Sequence, residues 1–156
     1  MLDFRDLPAA HGAYVLPLIV SRPQSITIGC LGQYRLPAGH YFYVGSARGA
    51  GGLRARVRRH LLGGAAPHWH IDYLRGGAEV HEVFYTVTDR ALECEWSQAL
   101  AQLPQAFNPV PHFGASDCRS GCAAHLIAFP CDADIFNIQR ALGRAAHTPL
   151  VQLHVH

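Results

Sequence analysis

His40-Tyr41-Phe42-Tyr43-Val44-Gly45-Ser46-Ala47, running on into Leu53-Arg54-Ala55-Arg56-Val57-Arg58-Arg59-His60-Leu61-Leu62, is the stretch on which the fold turns. Its aromatic, β-branched opening predicts a strand over 40–44. Residues 49–52 form a glycine-rich link, and a helix is predicted over 53–62, ended by Gly63-Gly64. Leu53, Val57 and Leu61 recur four apart and are expected to form its buried stripe. Arg56 and His60 lie one turn apart on one flank, with Arg54 and Arg58 on the other. Four arginines without an acidic partner repel one another unless a polyanion is near. A strand that passes through small residues into such a helix suits a phosphodiester held at a sheet edge.

The rest of the chain supplies partners for that strand. Ala13 to Val20 is apolar and ends at Ser21-Arg22-Pro23, a strand followed by a turn. Residues 25–28 and 33–36 alternate around Gly29 and Gly32 as a hairpin would. His68 to Leu74 predicts a short helix, and Glu79 to Thr88 another strand. Thr88 or Asp89 is expected to cap a helix reaching roughly Leu103. Residues 109–121 read as loop, 124–129 as a short strand and 133–142 as a final amphipathic helix. The tail from Leu150 is strand-like and could either add to a sheet edge or pair two chains. The expectation is one α+β domain over 1–156, a small mixed or antiparallel sheet flanked by helices, with a hairpin inserted between the two tyrosine strands.

Composition narrows the function classes. At 156 residues and 49% hydrophobic, the chain can bury one core. No 18-residue apolar run suggests a membrane span, and the start has no secretory pattern, so a cytoplasmic location is expected. All thirteen basic residues are arginine, which holds phosphate in a planar fork and keeps its charge at any working pH. Net charge is only +2, so a nucleic-acid site must come from local clustering. Five cysteines, odd in number and irregularly spaced, argue for free thiols over a disulfide framework.

Gly12-Ala13-Tyr14 and Tyr43-Val44-Gly45 match the two halves of a family's name motif: the chain resembles the GIY-YIG nuclease superfamily. Within it, the chain is most similar to an uncharacterised bacterial and archaeal branch, in places attached to an endonuclease III-like repair enzyme. The marks are Tyr-Val-Gly-Ser-Ala at 43–47, Arg-His at 59–60, His-Trp-His-Ile-Asp-Tyr-Leu at 68–74, Glu-Cys at 93–94 and Phe-Gly-x-Ser-Asp-Cys at 113–118. The spacing from Tyr14 to Tyr43 is longer than the family's compact form, which is why the hairpin is taken as an insertion.

The resemblance implies a metal-dependent endonuclease acting on DNA, with RNA left open, in repair or in processing of damaged or branched substrates. It also implies association with a base-excision-repair enzyme. Tyr14 and Tyr43 would position or deprotonate the attacking water, with Arg56 or a metal lowering the phenol's pKa. Arg56 would grip the scissile phosphate, and His60 would orient it or shuttle a proton. Glu95, on a Leu-x-x-Glu register, would hold one Mg²⁺ or Mn²⁺, with Glu93 as the alternative. Arg48, Arg54, Arg58, Arg59, His68 and His70 are the candidate nucleic-acid contacts. Asp72 would cap a helix or pair with an arginine. Asn108 or Asp117 would stand in for the family's late asparagine.

Two other readings stay open. One is a module that keeps the fold and binds nucleic acid without cutting it. The other is a zinc-stabilised interaction domain built on Cys118, Cys122 and His125, its fourth ligand open among Cys131, Cys94 and His112. A pair of buried free thiols is the favoured account of those cysteines.

Overall fold

Strand pairing follows from the apolar runs. A computed structural model describes residues 2–115 and 118–155; Asp117 lies outside them. The six-stranded sheet runs β7(Leu126–Phe129), β4(Gly39–Ala47), β1(Gly12–Val20), β6(Glu82–Val87), β8(Val151–His154), with the two-residue β5(Glu79–Val80) also on β1. Its pairings are antiparallel. A separate hairpin, β2(Gln24–Ile28) with β3(Gly32–Leu36), fills the interval between the tyrosine strands. The class is α+β, as expected, and the tail does extend the sheet, through β8 on β6.

Alternation along the strands sorts side chains into two cores. On one face Tyr14, Leu16 and Tyr43 pack with Leu53 and Val57 of α1(Gly52–Leu62) and with Ile71 and Leu74 of α2(His70–Leu74). On the other, Val15, Phe42 and Val44 pack with Trp96 and Leu100 of α3(Glu93–Ala101) and Ile138 and Leu142 of α4(Ile135–Ala146). The Trp96 indole N–H donates to the Leu142 carbonyl at 3.1 Å and ties α3 to α4.

Several boundaries differ from expectation for local reasons. α3 begins at Glu93 and not after Thr88: its first turn closes from the Trp96 N–H to the Leu92 carbonyl, and the Thr88 hydroxyl accepts from the Arg90 N–H in a separate turn. α4 continues to Ala146, since Ala141, Leu142 and Ala146 all stay buried. In α1 the buried positions are Gly52, Leu53, Val57 and His60, while Leu61 is only half-buried. The histidine takes the place foreseen for a leucine because a phenol on β1 gives it a partner.

Candidate functional site

The start of β1, the end of β4, the start of β7 and the first turn of α3 meet at one end of the sheet. Register puts Tyr14 opposite Gly45 and Leu16 opposite Tyr43. A Cβ at Gly45 would overlap the Tyr14 hydroxyl, so glycine in the Tyr-Val-Gly stretch of β4 makes room for the phenol. Gly12 is as tightly bound, against the Thr86 carbonyl and Leu53.

Tyr14 Oη lies 2.7 Å from His60 Nε2, and both side chains are about 1% exposed. Burial raises the Tyr14 pKa well above that of a free phenol; Tyr43 adds to the rise, and the nearby Arg56 guanidinium opposes it. Tyr43 is pushed up to about 12, again chiefly by burial. His60 is lowered to about 4, by burial first and then by Arg56. Arg56 does pull the phenol down, as expected of it, but burial raises it more strongly, and burial holds the imidazole neutral as well. His60 Nδ1 is buried with no hydrogen-bond partner among the described residues, and the rings of Tyr43 and Trp69 stand edge-on to the imidazole.

Arg56 is held from two sides. It donates to the Ser46 carbonyl at 3.2 Å, and its guanidinium lies 5.2 Å from the centre of the Trp69 ring. Arg59 lies 5.0 Å from the same ring and makes a forked pair with Asp72, each N–O distance 3.2 Å. Asp72 also accepts from the His68 and Trp69 backbone N–H groups. It thus caps α2 and pairs with an arginine at once. Backbone hydrogen bonds and Arg59 together hold its carboxyl below the usual range despite burial.

The carboxylate facing this group is Glu93, not Glu95. Glu93 lines an open cavity of about 420 Å³ with Tyr14, Tyr43, Arg56, Trp69 and Arg119, and it accepts from the Ser46 hydroxyl. Glu95 is outside the cavity and exposed, paired with Arg90 at 2.8 Å. A Leu-x-x-Glu register counts from Leu92, but Leu92 is the residue just before the helix. Glu93 and Glu95, two apart at the helix start, therefore point about 200° apart.

Other expected contacts are engaged within the chain. Arg54 donates to the carbonyls of Leu7 and Arg5, and Arg48 to that of Asp89. Arg58 lies over Phe4. His70 Nδ1 accepts from the Gly114 N–H at 2.8 Å, fastening the loop after α3 to α2, and His68 stacks edge-on against Trp69. Asn108 borders a different cavity. Ser46, Trp69 and Arg119 were not foreseen as site residues. Trp69 had a signal, its place among histidines next to an arginine helix; Arg119 had none beyond its charge.

Cys94, Cys118 and His125 also line this cavity, and Cys122 adjoins them from the next one. The ligand atoms of Cys94, Cys118, Cys122 and His125 all lie within 4.8 Å of one another, a group able to hold a metal ion. The thiols of Cys118 and Cys122 are free but half-buried, and of the three candidates for a fourth ligand it is Cys94 that the fold brings to Cys118, Cys122 and His125. Burial raises the Cys94 and Cys122 thiols. Cys118 is lowered in spite of burial, by hydrogen bonds from the Cys122 and Ser120 backbones and from Cys94.

A family model described as a domain of unknown function, DUF123, matches residues 13–147. The chain belongs to the DUF123 family. No curated protein and no solved structure matches it. The DUF123 match takes in the Tyr14, Tyr43, Arg56, Glu93 and Cys94–His125 positions together, so the cavity and the cysteine–histidine group both belong to the family's domain.

Proposed function

We propose that this DUF123 chain is a metal-dependent endonuclease that hydrolyses phosphodiester bonds in DNA. The observation that carries the reading is the convergence of a fixed arginine, two phenols and one carboxylate, from four different elements, in a single open cavity. Its likeness to the GIY-YIG pattern supports the same chemistry.

Arg56, held against Trp69 and Ser46, presents its fork to the non-bridging oxygens of the scissile phosphate and stabilises the charge that builds there. With the ring proton on Nδ1, His60 Nε2 accepts the Tyr14 hydroxyl proton, leaving the phenol oxygen to accept one from the attacking water. Water then bonds to phosphorus as the bond to the leaving oxygen breaks, and that oxygen takes up a proton from cavity water to leave as the alcohol. The attacking water's proton passes to Tyr14 while the Tyr14 proton passes to His60, so that no free tyrosinate is formed. Negative charge on the bound phosphate favours the imidazolium that results.

Glu93 is the residue that fits a hard divalent ion. Its carboxylate faces the cavity, and one carboxylate suffices for an ion that keeps most of its waters. Mg²⁺ or Mn²⁺ bound there would supply positive charge against the leaving oxygen.

A module that binds without cutting would lean on the arginine helix, yet Arg54 and Arg59 are spent on partners within the chain. The test is incubation of the purified protein with labelled duplex, single-stranded, flapped and branched DNA, with RNA alongside, in Mg²⁺ or Mn²⁺. Cleavage abolished by EDTA, by Arg56→Ala and by Glu93→Ala is expected. Binding without cleavage on every substrate would leave the non-cutting module in its place.

A further inference from the structure

Connections between elements of a compact domain are usually short, and long ones without regular structure need a fastening. Residues 102–125, between α3 and β7, contain no helix or strand among those described. Even so, this segment supplies Gly114, Cys118, Arg119 and His125 to one wall of the cavity. Hydrogen bonds pin its far end, from His112 N–H to the Ala123 carbonyl and from His125 N–H to the Phe113 carbonyl, both 2.7 Å. Its middle is tied to α2, where the Gly114 N–H donates to His70 Nδ1 at 2.8 Å, and beyond that point Cys118 and Cys122 lie against Cys94 and His125.

We propose that Cys94, Cys118, Cys122 and His125 bind one structural zinc ion that clamps this segment to the first turn of α3. The geometry suits it. Zinc–sulfur bonds of about 2.3 Å at tetrahedral angles place neighbouring ligand atoms roughly 3.5–3.8 Å apart. Cys94 Sγ lies 3.3 Å from Cys118 Sγ and 3.6 Å from His125 Nε2, and the whole set falls within 4.8 Å. Three soft thiolates and an imidazole select zinc over magnesium or manganese. Four protein ligands make a closed site, which is structural and not catalytic. His125 is anchored through its backbone on both sides, its N–H donating to the Phe113 carbonyl at 2.7 Å and its carbonyl accepting from the Val44 N–H at 2.9 Å. Cys131 and His112, the other candidates for fourth ligand, are exposed and outside the cluster.

The clamp also has a consequence for the cavity. Cys94 follows Glu93 and Cys118 precedes Arg119, so one ion sets the spacing of a carboxylate and a guanidinium on facing rims. The zinc assignment stands apart from the nuclease reading; only this positioning role rests on it.

The full chain, purified without a metal-affinity tag, should carry about one zinc per molecule by mass spectrometry of its elements. Cys30→Ser and Cys131→Ser, both at exposed cysteines outside the cluster, should keep it. Cys94→Ser and Cys118→Ser should lose most of it, and His125→Cys should retain it. Should the serine variants fail to fold, Co²⁺ exchanged into the wild type settles the matter: thiolate-to-cobalt charge-transfer bands with intense tetrahedral d–d bands are expected. A folded wild type without zinc, with iron in its place, or with all five thiols freely titratable would overturn the proposal. Zinc bound to a protein that cuts no nucleic acid would uphold the site and discard the nuclease.

Discussion

The Tyr14 hydroxyl and His60 Nε2 meet at 2.7 Å where neither side chain reaches solvent. An imidazole buried there folds neutral, with its pKa lowered to about 4 by burial and then by Arg56. The unfolded chain, with an ordinary value near 6.5, therefore takes up this proton first as pH falls. The stability from keeping His60 neutral is complete above about pH 6.5, drains away between there and about pH 4, and changes no further below. The swing is on the order of 3 kcal/mol. Urea unfolding midpoints across that range should fall for the wild type and much less for His60→Gln. Equal slopes in the two proteins would mean the histidine does not titrate as its surroundings dictate.

The two acidic residues at the head of α3 make opposite predictions. Glu93→Gln removes the only carboxylate lining the cavity among the described residues and should cut metal-dependent cleavage by about a hundredfold or more. Glu95→Gln breaks an exposed pair with Arg90, worth at most about 1 kcal/mol, and should leave turnover within about twofold. Steady-state kinetics on one labelled substrate compares them directly, and the reverse order would restore Glu95 to the site.

How much of this was legible beforehand depended on whether the signal was local. The strand into the arginine helix, the tail strand and the inserted hairpin each follow from alternation, helical spacing or glycine placement within a short window. Glu93 against Glu95 turned on where α3 begins. Thr88 accepts from the Arg90 N–H as a capping residue would, yet the helix starts only after Leu92, a boundary that periodicity does not carry. The burial of His60 needed a partner forty-six residues away on β1, so a stripe of apolar residues at every fourth position named Leu61 instead. Cys94 joins Cys118 through a 3.3 Å contact across the fold. Spacing along the chain could suggest Cys118, Cys122 and His125 but had no means of choosing the fourth.

Gly45→Ala tests the room made for Tyr14. The added methyl would overlap the phenol oxygen, and a strand residue buried on this face has little freedom to yield. The expected cost is about 1–3 kcal/mol, with cleavage reduced further than stability explains because the Tyr14–His60 hydrogen bond is displaced. Thermal unfolding and turnover measured on the same sample would separate the two. Full activity in a protein of unchanged stability would show that Tyr14 has more space than the fold implies.

Asp72 reaches the cavity without touching it. Its side chain is 4% exposed and forks with Arg59, whose guanidinium lies 5.0 Å from the Trp69 ring that also steadies Arg56. Asp72→Asn keeps an oxygen for the His68 and Trp69 N–H groups but turns a donor toward Arg59 and strips its charge partner. The loss should be about 3 kcal/mol, since a half-buried guanidinium is left uncompensated. Asp72 titrates below the ordinary carboxylate range when folded. Its stabilisation is therefore present above about pH 4 and lost as pH drops through the folded value, an acid limb the asparagine variant should lack. If Trp69 transmits the change, Arg56 is held less firmly, and cleavage at saturating substrate should fall well beyond the fraction unfolded. A variant that merely loses stability, with unchanged turnover per folded molecule, would confine Asp72 to capping α2 and pairing with Arg59, and leave Arg56 held by Ser46 and Trp69 without its help.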